Sequence, residues 1–190
     1  YKKGSTFVTG LEDEFYEVRL ATIESICALS TSSDEFCIQA INYLIDMFTD
    51  EIEAVRIRAI NAVSTIGQNF QISRQQLENC TTLLEDKSNS VRKSVYNLLG
   101  LIRLPNFSSV GFVVKSLLLN LKRFPGDLLA IYKCLKLLGN SHAHMVEFLI
   151  SDLLKLEQHI LMSEPKVDDD HCNFFFSFRK INKILDIGKL

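Results

Sequence analysis

His142 and His144, one residue apart, and His171-Cys172, directly after Asp168-Asp169-Asp170, are the side chains whose types and spacing invite chemistry. Two imidazoles at that separation could share a divalent metal, but no carboxylate or cysteine lies beside them at ligand spacing. They follow Gly139-Asn140, which points to a helix-end role. A cysteine next to a histidine is the beginning of a thiol nucleophile. Here no His/Asn pattern exists to orient it, and an apolar helix follows. Three consecutive aspartates could chelate a cation, yet the glycine and distal glutamate of a calcium loop are missing. The run suits capping of the next helix and opposing its dipole. There is no glycine-rich phosphate loop. Phe and Tyr fall mostly on helix stripes, without the platform that stacks bases of a single strand. The sequence predicts a protein that is not an enzyme and has no catalytic, cofactor-binding or metal-binding residues.

The elements that carry these residues repeat. Leu11-Glu-Asp13 to Val18-Arg19, Phe48-Thr-Asp50 to Val55-Arg56 and Leu84-Glu-Asp86 to Val91-Arg92 follow one pattern, with the valines 37 and 36 residues apart. Self-similarity at this period marks a solenoid, in which each unit buries its apolar face against its neighbours. Counting from each valine, positions +4, +8 and +11 are Thr22, Ile26 and Leu29, then Ala59, Val63 and Ile66, then Val95, Leu99 and Ile102. That spacing tracks one face of an α-helix, so each unit's second helix has a single buried stripe. Phe7-Val8, Leu44-Ile45 and Cys80-Thr81 end an amphipathic first helix that runs into a short turn. The unit is helix, turn, helix.

Each unit also sets an aspartate six residues before an arginine: Asp13/Arg19, Asp50/Arg56 and Asp86/Arg92. An Asp in the turn can accept backbone hydrogen bonds or cap the second helix. An Arg in the first turn of a helix opposes the dipole, so propensity does not account for it. A structural ladder does, with each Arg near an Asp of its own or the adjacent unit.

Two looser hairpins follow. Val110–Arg123 and Leu128–Gly139 are helical, separated by Phe124-Pro125-Gly126-Asp127 with Asp127 as a plausible N-cap. The last pair spans Ala143–Leu156 and about Cys172–Ile187, joined by an acidic loop ending Glu164 to Asp170. The expected architecture is all-α: an α-solenoid of about five helical hairpins, one segment over 1–190. Its units lie at roughly 4–30, 34–69, 73–103, 108–140 and 142–187. The chain lacks an initiating Met, and its final helix carries Phe174, Phe175, Phe176 and Phe178 around more than one face. Both features read as an inner segment of a longer array.

Composition narrows the function classes. The apolar runs are too short to span a bilayer, so no membrane partner is expected. Five cysteines without paired spacing argue for a reducing compartment rather than a disulfide framework. The net charge of −2 hides a block: residues 87–146 hold nine Lys/Arg against Asp127 alone, while residues 1–86 hold six against fourteen acids. Lys115, Lys122, Arg123, Lys133 and Lys136 are the candidate anion or partner patch, suited to RNA, an inositol phosphate or an acidic protein surface. The alternative reading is four solvated helix faces that point in different directions.

The recurring Asp and Val-Arg resemble the HEAT repeat; the tetratricopeptide pattern does not fall in register in a chain without Trp. Longer strings narrow the resemblance. Gly10-Leu-Glu-Asp-Glu-Phe-Tyr-Glu-Val-Arg19, Tyr43 to Arg56 and Tyr132-Lys-Cys-Leu-Lys-Leu-Leu-Gly139 are similar to the HEAT-repeat family of Integrator complex subunit 4. The resemblance implies a nuclear, non-catalytic scaffold whose partners are other Integrator subunits. Chief among these is the metallo-β-lactamase-type pair that cleaves nascent small nuclear RNA and other RNA polymerase II transcripts. A cytoplasmic adaptor- or importin-like solenoid is the alternative, and direct RNA or inositol-phosphate binding at residues 87–136 is a further one.

Overall fold

A computed structural model describes residues 5–30, 33–68 and 71–145. Among them the chain is all-α. The order is α1 (Ser5–Leu11), α2 (Tyr16–Ser30), α3 (Asp34–Asp46), α4 (Glu53–Ile66), α5 (Arg74–Thr82), α6 (Asn89–Leu101), α7 (Phe107–Arg123) and α8 (Leu128–Ser141). Short 3-10 turns at Met47–Thr49, Leu83–Glu85 and Pro125–Asp127 lead out of α3 and α5 and into α8. Four of the helices start where a side chain satisfies a free backbone amide. Ser33, Ser73, Ser88 and Asn106 each accept an amide proton at the N-cap of α3, α5, α6 and α7, and Ser73 with Gln76 completes a capping box. The fifth hairpin expected from the sequence lies outside the described residues.

The helices pair as α1/α2, α3/α4, α5/α6 and α7/α8, and successive pairs stack. The second helices α2, α4, α6 and α8 form an inner layer with extensive mutual contact, whereas α3, α5 and α7 touch one another sparingly. A bridge between Gln71 and Arg103 ties the loops that enter the third and fourth pairs. The core follows the repeat columns. Val55, Ala59, Val63 and Ile66 on α4, Val91, Val95 and Leu99 on α6, and Ile102 just after it are buried.

The same columns differ in the first pair. Val18 is 39% exposed and Leu29 47%, against 0% for Val55 and Val91. Of the apolar residues of α2, only Ile23 and Ile26 are fully buried. The reason is positional: α4 and α6 each stack on the second helix of a preceding pair, whereas among the described residues α2 has only α1 before it, whose Gly10 lies against Thr22.

Small residues mark close approaches. Ser64 and Gly100 stand in one column; a Cβ added at Gly100 would lie 3.0 Å from Leu137 Cβ and 3.4 Å from Cys134 O. Gly100→Ala is therefore expected to cost about 1–3 kcal/mol through overpacking of α6 against α8, read as a shift in the urea midpoint.

The fourth pair departs from the pattern in an informative way. Thirty-six residues beyond Val95, Leu99 and Ile102 stand Ile131, Leu135 and Leu138, all buried. The same shift from Val91 arrives at Asp127, itself 2% exposed. A carboxylate thus occupies a core column. Asp127 is the residue before α8, but its side chain caps nothing there. Its bonds go elsewhere.

Candidate functional site

The six ladder residues form repeated contacts at the joins between pairs. Arg19 Nη1 donates to the backbone carbonyl of Asp13 at 2.8 Å, Arg56 Nη1 to that of Asp50 at 2.8 Å and Arg92 Nη1 to that of Asp86 at 2.9 Å. The same nitrogens reach the carbonyls of Glu14, Glu51 and Lys87. These bonds close the turn of each arginine's own unit. The remaining nitrogens point forward: Arg19 Nη2 donates to Asp50 Oδ1 at 3.0 Å, and Arg19 Nε lies 2.8 Å from Asp50 Oδ2. Arg56 Nε lies 3.2 Å from Asp86 Oδ2. Each aspartate also shapes its turn, since Asp13, Asp50 and Asp86 accept the amide protons of Phe15, Ile52 and Ser88. The planar guanidinium makes this double role possible; a lysine ammonium has no such fork.

The third join is a buried network. Thirty-six residues past Asp86 stands Lys122, so the regular acceptor is missing, and Arg92 bonds Asp127 instead, Nε to Oδ2 at 2.6 Å. Tyr96 Oη donates to Asp127 Oδ2 at 2.9 Å, Asn89 Nδ2 to Oδ1 at 2.6 Å, and Asn120 Nδ2 donates to Tyr96 Oη at 2.6 Å. The Phe124 ring covers the guanidinium at 3.8 Å. Burial works to raise the Asp127 pKa, but the bonds from Arg92 and Tyr96, the Arg92 charge and the Asn89 bond outweigh it. The carboxyl therefore titrates below its ordinary range. Tyr96 is pushed up, by burial first and then by the Asp127 carboxylate. Nothing here is a nucleophile or a base with access to a substrate. The charged forms are locked. Asn89, Tyr96, Asn120 and Phe124 were not legible as members; the one available signal was the 36-residue shift that brings Asp127 into the valine column.

His142 follows α8 and is buried at 4% exposure. Its Nε2 accepts the amide proton of Leu104 at 2.9 Å, and Nδ1 lies 3.2 Å from the Leu138 carbonyl. The neutral tautomer with its proton on Nδ1 fits both contacts. His144 is exposed, and among the described residues no group of three potential ligands could hold a metal. Burial lowers the His142 pKa below 6.5, the Leu138 bond opposes this, and His144 lowers it further. Well above pH 6.5 neither folded nor unfolded chain carries this proton. As the pH falls below that value the unfolded chain takes up a proton that the folded protein resists, so stability declines until the folded pKa is passed. A falling thermal midpoint between pH 7 and 5.5 is expected, with a shallower fall in His142→Gln.

The candidate patch is spread over two helices. Lys115, Lys122 and Arg123 are exposed on α7, and Lys133 and Lys136 on α8. Arg123 Nη1 pairs with Glu85 Oε2 at 2.6 Å. Cys80 and Cys134 are buried with thiols pushed up to about 12, which removes them as nucleophiles. No helix of the described residues is long and apolar enough to cross a membrane.

Stacked helical pairs, joined by a ladder and offering broad exposed helix faces, define an α-solenoid of the HEAT type. The matching family is described as sister chromatid cohesion protein PDS5 protein, over residues 5–171. The chain belongs to that family, and it is similar to Integrator complex subunit 4 proteins, as the sequence strings implied. It is 42% identical over 163 residues to the Integrator complex subunit 4 homolog of Dictyostelium discoideum, covering 86% of this chain and 13% of the relative. To Integrator complex subunit 4 of Homo sapiens it is 38% identical, covering 86% of this chain and 17% of the relative. Protein SIEL of Arabidopsis thaliana is 32% identical over 147 residues, or 76% of this chain and 15% of that one. The chain thus spans roughly a sixth or less of the relatives it matches. A crystal structure of an engineered protein superposes with a TM-score of 0.51 at 15% identity, covering 71% of this chain and 62% of that one. This last likeness concerns the fold alone.

Proposed function

We propose that this chain is a non-catalytic HEAT scaffold segment of the Integrator complex, acting in the nucleus. It helps hold the metallo-β-lactamase-type pair that cleaves RNA in small nuclear RNA 3'-end processing and in RNA polymerase II transcript cleavage. The observation that carries this reading is identity of 36–42% to Integrator complex subunit 4 proteins over most of the chain. The site chemistry is consistent with it, because the ionised groups near the joins are committed to holding helices together. The test is affinity capture with the tagged, nuclease-treated chain from nuclear extract. Recovery of the cleavage subunits is expected; recovery of transport or coat proteins instead would favour an adaptor-like cytoplasmic solenoid.

A second reading, direct binding of RNA or an inositol phosphate at residues 87–136, is favoured by one observation. Lys115, Lys122, Lys133 and Lys136 are exposed and in no ion pair among the described residues. It predicts affinity that falls steeply with salt and with charge reversal at Lys122 and Lys133. Salt-independent binding would remove it.

A further inference from the structure

The exposed side of the inner layer carries one polar residue per helix in a fixed column. Thirty-six residues separate Asn61 on α4 from Asn97 on α6, and thirty-six more lead to Lys133 on α8. All three are exposed, and α4, α6 and α8 lie side by side. No side-chain hydrogen bond holds either asparagine among the described residues; the Asn61 backbone carbonyl alone accepts one, from Thr65. Three residues toward the N-terminus in this column stand Ser94 on α6 and Ala130 on α8, both small, while on α4 the position is Arg58, held by Glu24. On α2 the equivalent residue is Glu24, which Arg58 neutralises at 2.6 Å. One turn before Asn97 on α6, Lys93 adds a second exposed cation.

We infer that this face binds an extended acidic polypeptide, with Asn61 and Asn97 reading its main-chain amides and Lys93 and Lys133 its carboxylates. An asparagine offers a donor and an acceptor together, which matches the N–H and C=O of a passing peptide unit. Packed helices lie roughly 8–10 Å apart. One turn of polyproline II advances three residues, roughly 9 Å, so the same face of such a chain recurs once per helix. The charge runs from a neutralised acidic end at α2 to an unneutralised basic end at α8, which selects an anionic segment. This deepens the scaffold reading by naming the chemistry of one partner segment.

The test is fluorescence anisotropy with a labelled (Asp-Ala-Pro)4 peptide, its lysine counterpart (Lys-Ala-Pro)4, and a labelled twelve-nucleotide uridine RNA. The acidic peptide is expected to bind and the basic one not. Lys93→Glu with Lys133→Glu should weaken binding about tenfold or more and flatten its salt dependence. Asn61→Ala with Asn97→Ala should weaken it about fivefold with the salt dependence unchanged, because no charge is removed. All four positions are exposed, so an unchanged thermal midpoint is expected in both double variants. No binding of the acidic peptide, indifference to the asparagine changes, or tighter binding of the RNA would overturn the inference. The capture experiment stands apart: recovery of Integrator subunits by the asparagine variant, with peptide binding lost, would leave the scaffold reading intact.

Discussion

Asp127→Ala is expected to lower the free energy of unfolding by about 3–5 kcal/mol, the range for breaking a buried ion pair from one side. The removed carboxylate accepts from Arg92, Tyr96 and Asn89. Its loss leaves the Arg92 guanidinium, in a side chain only 7% exposed, without a counter-charge, and strands the Tyr96 hydroxyl proton. The damage spreads to Asn120, which donates to that same hydroxyl. Asp127→Asn is the milder comparison: it keeps the shape and one acceptor oxygen but removes the charge. Urea titration of the wild type and the two variants checks the order, wild type above Asn above Ala. Equal stability of all three would mean that the network contributes nothing beyond its packing.

Val55→Asp should be more disruptive still, exceeding about 4 kcal/mol and leaving the chain largely unfolded at room temperature. Val55 is fully buried, in the column that Asp127 occupies in the fourth pair, and the preceding pair's arginine that corresponds to Arg92 is Arg19. Arg19 and Arg56 are already spent on Asp50 and Asp86. Val18→Asp changes the same column of the first pair, where the side chain is 39% exposed, and should cost less than about 1 kcal/mol. Circular dichroism melting of both variants separates the cases. An unchanged melt for Val55→Asp would refute its place in the core.

That contrast shows how much of the molecule the sequence disclosed. The repeat pattern was legible because each pair buries one stripe, and a stripe recurs in the letters. Burial itself was not, since Val18 and Val55 are the same letter in the same column and differ only in what lies upon them. The Asp and Arg pairs were visible as types six apart, yet the direction of the contact was not. An arginine touches its own unit through backbone carbonyls and the next unit through a carboxylate, and carbonyls have no letter. The network at Asp127 was hidden for a related reason. Its bonded pairs are 24 to 38 residues apart, and a buried polar cluster is specified by mutual geometry rather than by spacing. His142 was read as a helix-end residue; its second contact, to Leu104 of the preceding pair, needed three dimensions.

The one-way construction of the joins bears on how the chain opens. Each of the first three pairs gives an arginine forward, and the second, third and fourth receive one on Asp50, Asp86 and Asp127; among the described residues the Asp13 carboxylate of the first pair meets only the Phe15 amide. Local opening should therefore be polarised. Amide exchange in α2 is expected to be faster than in α4 or α6, and to slow only when something offers Asp13 the cation that Asp50, Asp86 and Asp127 already hold.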